Sequence, residues 1–200
     1  MYDFFAPKKL GAASAIRFAE NRETRTAFLL FLLFLGVLFG AVIGTYAADA
    51  LPGSRLFADM YAGSELKFLS ALWDCSKFFL LLALCATGYL GIAAVPALVL
   101  LRGYLLGCTS AAAYAAESFG GLAAAFFVCG VSALLSVPAL ILTASDSMES
   151  SMNLLRLRFY RRAFPRQYSG ALRRAIIALL LICVDTLYTC FLMPRFLALL

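Results

Sequence analysis

Polar and apolar positions along this chain segregate into long blocks. Apolar residues fill 27–48, 78–101, 104–119, 121–144 and 175–193, and the arginines gather mostly between or ahead of them. A membrane-spanning helix takes about 20 mostly apolar residues. Four blocks meet that length, and 104–119 is short.

The sign of the intervening charge decides the fate of the short block. The lead of residues 1–26 carries Lys8, Lys9, Arg17, Arg22 and Arg25, while residues 145–174 carry Arg156, Arg158, Arg161, Arg162, Arg166, Arg173 and Arg174. Basic flanks stay on the cytoplasmic side. Two cytoplasmic regions require an even number of crossings between them, so 104–119 must cross if the other three intervening blocks do. The expected fold is an all-α polytopic transmembrane bundle of about five spans, N-terminus inside and C-terminus outside, forming one domain over 1–200. Arg102 then marks an inner turn between the second and third spans, and Gly120-Gly121 a tight outer turn.

Residues 49–77 fall outside as a loop with three basic and four acidic residues. Leu66, Leu69, Leu72 and Trp73 recur at helical spacing among Glu65, Lys67, Asp74 and Lys77, which reads as an amphipathic helix leading into the second span. Two roles fit it: an interfacial helix lying on its own bundle with Trp73 in the aromatic belt, or a docking face for a partner through Leu66, Leu69 and Trp73. The first block loosely offers a signal-peptide cleavage point at Tyr46-Ala47-Ala48-Asp49-Ala50. Its apolar core is longer than a secretory h-region of about 7–15 residues, so retention as a helix is expected.

Composition removes whole classes of function. Hydrophobic residues make up 64% and charged residues 14% of the chain, against roughly 25% charged in soluble domains. The net charge of +6 lies beside a membrane block, where positive-inside retention and anionic lipid headgroups account for it. No aromatic-interleaved basic groove accompanies the arginines, so nucleic acid is not an expected partner. Five of the six cysteines, Cys85, Cys108, Cys129, Cys183 and Cys190, lie in apolar blocks, and only Cys75 falls in a polar connection. There is no CxxC pair and no histidine, so neither a metal site nor a cofactor is expected.

Small residues mark where helices approach closely in lipid, because tails are as apolar as leucine and backbone proximity decides association. Gly36, Gly40 and Gly44 recur every fourth residue on the first block, and Gly103, Gly107, Ala111 and Ala115 on the third. Ala83, Thr87 and Gly91 form a shorter stripe on the second. These faces serve internal packing, or else contact with a second copy or a partner. The second and fourth blocks also share a heptapeptide, Ala94-Val95-Pro96-Ala97-Leu98-Val99-Leu100 against Ser136-Val137-Pro138-Ala139-Leu140-Ile141-Leu142, in helices expected to run the same way. Paired proline-broken helices can mark a transport site, but the repeat is brief and drawn from a small apolar alphabet, so coincidence or mere packing is the plainer explanation.

Asp185 lies midway along the last block. A central acid costs about 2.5–3.5 kcal/mol on insertion scales, so its side chain should face protein or water. It can accept hydrogen bonds from hydroxyls of another helix, serve an ion or proton path, or meet a partner's helix. Intramembrane proteolysis would need a Ser–His pair, two facing aspartates or a zinc motif. None is present, and Ser132 and Ser136 have no evident base. An enzyme is not expected, and no catalytic residue is assigned.

The arrangement resembles the stage II sporulation protein M family of bacterial integral membrane proteins along nearly the whole chain. The likeness is carried by the basic lead, the glycine-rich first span, the outer loop, and Pro96 followed by Leu101-Arg102-Gly103-Tyr104-Leu105-Leu106-Gly107. A basic inner segment and a last helix with Asp185 ahead of Pro194 complete it. The resemblance implies a non-enzymatic scaffold in the septal membrane that anchors the peptidoglycan-degrading stage II sporulation proteins D and P during engulfment. The competing expectation is a small transporter or channel using Asp185 and the Pro96 and Pro138 helices. Membrane lipids surround the bundle on either reading.

Overall fold

A computed structural model describes residues 22–47, 68–160 and 168–192, and every described element is helical. In chain order these are α1 (Arg22–Ala47), α2 (Phe68–Cys85), α3 (Gly91–Ala125), a π-helical turn Phe126–Gly130, α4 (Val131–Tyr160), α5 (Tyr168–Leu187) and a second π turn, Tyr188–Leu192. Among the described residues, four segments are long and apolar enough to cross a membrane: Arg22–Tyr46, Gly91–Ala112, Val131–Leu155 and Gly170–Leu192. In α2 the apolar stretch is the shorter Cys75–Cys85.

The expected turn at Arg102 does not exist. Residues 78–101 do not form one helix, because the chain turns at 86–90, and 91–101 joins 104–119 in α3 with no break at Arg102. Gly91 explains the break. A β-carbon there would overlap the Cys85 carbonyl oxygen and the Ser151 hydroxyl, so the chain passes through a gap only glycine fits. Ser151 Oγ lies 3.1 Å from the Cys85 carbonyl, which also accepts from the Gly88 N–H, and 3.0 Å from the Ser147 carbonyl, so its hydroxyl is shared between α4 and the end of α2. Ala83, Thr87 and Gly91 therefore do not form a stripe on one helix.

Residues far apart in sequence reveal the direction of each helix. Thr109 Oγ1 and Cys129 Sγ lie 3.6 Å apart, although a straight helix between them would span about 30 Å at 1.5 Å per residue. The chain must double back, and the Gly91–Ser151 approach demands the same. Both pairs are centred near the Gly120-Gly121 pair. Helix α5 returns against α4, with Arg174 at Asp146 and Tyr188 at Phe127. Helix α2 runs against α3, placing Phe78 under Arg102 at 5.1 Å. The five helices thus alternate in direction.

This alternation also corrects the proline repeat. Pro96 lies in α3 and Pro138 in α4, which are antiparallel, and each helix continues through its proline. Irregular backbone occurs instead at the two π turns. The segment 145–174, expected as a polar cytoplasmic connection, is largely the continuation of α4 to Tyr160, with Ser145, Ser147 and Ser151 buried in the bundle.

A core of Leu29, Leu82, Val95, Val99, Leu140, Ile141, Ala144 and Met148 ties α1, α2, α3 and α4 together. The outward faces are apolar as well, with Phe31, Phe34, Leu134 and Leu179 all exposed. Such a surface suits hydrocarbon and not water. Two ion pairs close one end of the bundle: Arg25 to Glu149 at 2.7 Å and Arg174 to Asp146 at 2.9 Å.

Candidate functional site

The glycines of α1 and α3 face one another in register. A β-carbon at Gly36 would strike the Leu100 carbonyl, one at Gly40 the Tyr104 carbonyl, and one at Gly44 would press on Ala111 and Cys108. Reciprocally, Gly103 receives the Leu33 carbonyl and Gly107 the Val37 carbonyl. Contacts advance together along both chains, so α1 and α3 are parallel neighbours at backbone contact. Every fourth residue is small because the helical repeat brings that position to the same face.

Asp185 faces the bundle interior, with only 1% of its surface exposed. One residue from each of three other helices converges on it. Ser132 of α4 and Cys75 of α2 lie beside the carboxyl, and the Arg102 guanidinium of α3 is near enough for its charge to act on it. Thr186, fully buried beside it, donates to the Ile182 carbonyl at 2.8 Å. Asp185 Oδ1 has no hydrogen-bond partner among the described residues. Burying a carboxylate is costly unless it is paired; the nearby Arg102 charge acts on it without forming an ion pair, and the Arg102 guanidinium lies 5.1 Å from the Phe78 ring.

Arg102 and Cys75 are the residues that sequence reasoning misplaced. Arg102 was expected at a membrane surface and Cys75 in a polar connection, yet both belong to helices that meet Asp185. The available signal was Asp185 itself: an acid deep in an apolar block requires a counter-charge, and Arg102 is the basic residue flanked on both sides by apolar blocks.

The π turns meet at this level too. Tyr188 hydroxyl donates to the Phe127 carbonyl at 2.7 Å, joining the end of α5 to the start of the α4 limb. All six cysteines are unbridged. Trp73 lies on α2 with 64% of its surface exposed, directed away from the bundle. Leu69 belongs to the first turn of α2, while Leu66 and the rest of 49–67 lie outside the described residues.

Comparison with protein-family models, characterised proteins and solved structures finds no match to this chain. The resemblance to the stage II sporulation protein M family is carried by the quoted motif residues alone.

Proposed function

We propose that the chain is a non-enzymatic scaffold of the bacterial cell membrane, with five crossings, the N-terminus inside and the C-terminus outside. On this reading α2 supplies the fifth crossing, short though its apolar stretch is. The ion-paired end with Arg25 and Arg174 is cytoplasmic by the positive-inside rule. The opposite end, toward Trp73, then faces the cell wall.

The observation that carries this reading is the inward use of polar chemistry. Arg25 is spent on Glu149, Arg174 on Asp146, and Arg102 faces Asp185, while the helix exteriors are apolar. A bundle so arranged holds a shape and offers surfaces. The sequence resemblance supplies the occupants: stage II sporulation proteins D and P, which degrade peptidoglycan, held at the septal membrane during engulfment. Affinity purification of the tagged chain from sporulating cells tests this. Co-purification of the two hydrolases, lost on replacing Trp73 and Leu69 with Glu, is the expected result; a chain that purifies intact without them would sink it.

Transport is the second reading, favoured by one observation: the Asp185 Oδ1 atom, buried and lacking a described partner. Uptake into liposomes containing only the purified chain would favour it.

A further inference from the structure

A lateral groove of about 970 Å³ opens between α2 and α5 and is floored by α4. Its walls are apolar, among them Phe79, Leu80, Ala175 and Leu179. The floor presents Thr143, Ser147 and Ser150, at the helical spacing that puts them on one face. At one end lies the Asp146–Arg174 pair, with both side chains partly accessible.

We propose that this groove holds one phospholipid, its acyl chain between α2 and α5 and its phosphate at Arg174. The lining runs from Ala171 to Cys183 on α5 and from Leu72 to Ala83 on α2, with Ala86 just beyond its end, about 17–18 Å along each helix at 1.5 Å per residue. A single leaflet of hydrocarbon is about 15 Å deep, half of a core of about 30 Å. The groove therefore accommodates a chain from one leaflet, while a partner's spanning helix would need the whole depth.

Charge sets the direction of the lipid. Arg174 Nε donates to both carboxylate oxygens of Asp146 at 2.9 Å, and Nη2 lies 2.9 Å from Oδ1. A guanidinium has five N–H donors in a planar fork, so donors remain for a phosphate oxygen. Arg174 shares its end of the bundle with the Arg25–Glu149 pair, the level at which headgroups belong.

The inference rests on the membrane-embedded reading and is independent of the scaffold role. The test places the full chain in vesicles of phosphatidylethanolamine and phosphatidylglycerol carrying analogues with a diazirine on the acyl tail. After photolysis, labelled residues are mapped by mass spectrometry. Groove occupancy labels Ala178 and Ser147, which are 5% and 3% exposed and turned from the outer surface. Ala83→Trp, and separately Ala175→Trp, fill the groove and abolish those labels while Phe31 and Leu180 stay labelled. Arg174→Gln weakens the Ala178 label without touching the outer ones. Labels confined to outward residues, or an Ala178 label unchanged in both tryptophan variants, would overturn the proposal, as would a protein cross-link filling the groove. Carbonate washing of the same membranes reports separately on insertion: release of the wild-type chain would overturn the membrane reading instead.

Discussion

Gly40 of α1 sits against the carbonyl oxygen of Tyr104 on α3, so closely that a β-carbon on Gly40 would overlap that oxygen. Backbone cannot yield as a flexible side chain does, so a larger residue must push the helices apart. Overpacking of this kind costs about 1–3 kcal/mol, and leucine exceeds the methyl already excluded. Gly40→Leu should lower the unfolding midpoint in detergent by that scale, and Gly103→Val should do likewise from the other side. Gly88 is the control, since an added β-carbon there meets nothing nearer than 4.0 Å. Gly88→Ala should leave the midpoint unchanged, and equal losses at Gly40 and Gly88 would refute the interlock.

The α1 and α3 faces were legible because four-residue spacing of glycine is a property of the sequence alone. Their mutual register was not, since any two such stripes could pair. The break at 86–90 escaped for a different reason. Hydropathy treats residues 78–101 as uniformly apolar, and Gly88 and Gly91 are common enough inside membrane helices to give no warning. The end of α2 is packed against Ser151, 66 positions from Cys85, and that long-range contact is invisible to hydropathy. Arg102 was misplaced by the same locality: a basic residue beside apolar blocks reads as a surface marker until its partner on another helix is known.

Arg25 is 4% exposed at its side chain and bonds Glu149, which is 37% exposed. Removing one partner of a buried, hydrogen-bonded charge costs more than removing both. Glu149→Ala should destabilise the bundle by about 1–3 kcal/mol, and the double variant Arg25→Met, Glu149→Ala should recover part of that loss. Denaturant unfolding of the two single variants and the double one measures the coupling. Strict additivity would mean that the pair adds nothing to stability.

The Asp185 cluster separates structural from transport roles. Asp185→Asn keeps hydrogen-bonding capacity beside Ser132 and Cys75 but removes the charge on which Arg102 acts. If the cluster only holds α2, α3, α4 and α5 together, Asp185→Asn should cost less than Asp185→Leu, which leaves Arg102 buried without its acid. Partner capture should survive in Asp185→Asn. Liposomes carrying a pH-sensitive dye provide the opposing readout. Proton flux in the wild-type chain that vanishes in Asp185→Asn would displace the scaffold reading in favour of transport.

The reversal of the chain within residues 109–129 has a chemical test in one bond. Thr109 Oγ1 lies 3.6 Å from Cys129 Sγ, so a cysteine at 109 would place its sulfur in the neighbourhood of Cys129, where a small adjustment allows a disulfide. Thr109→Cys should cross-link to Cys129 under mild oxidation. Cys85, Cys108, Cys183 and Cys190 are removed first, along with Cys75, so that a single pairing is possible. The cross-linked chain should run faster on a denaturing gel, and protease cleavage between residues 110 and 128 should leave its two pieces joined until reduction. A straight helix through 109–129 would hold the two sulfurs about 30 Å apart. In that case no intramolecular bond forms, the chain falls into two pieces on cleavage, and the alternating arrangement of helices is wrong.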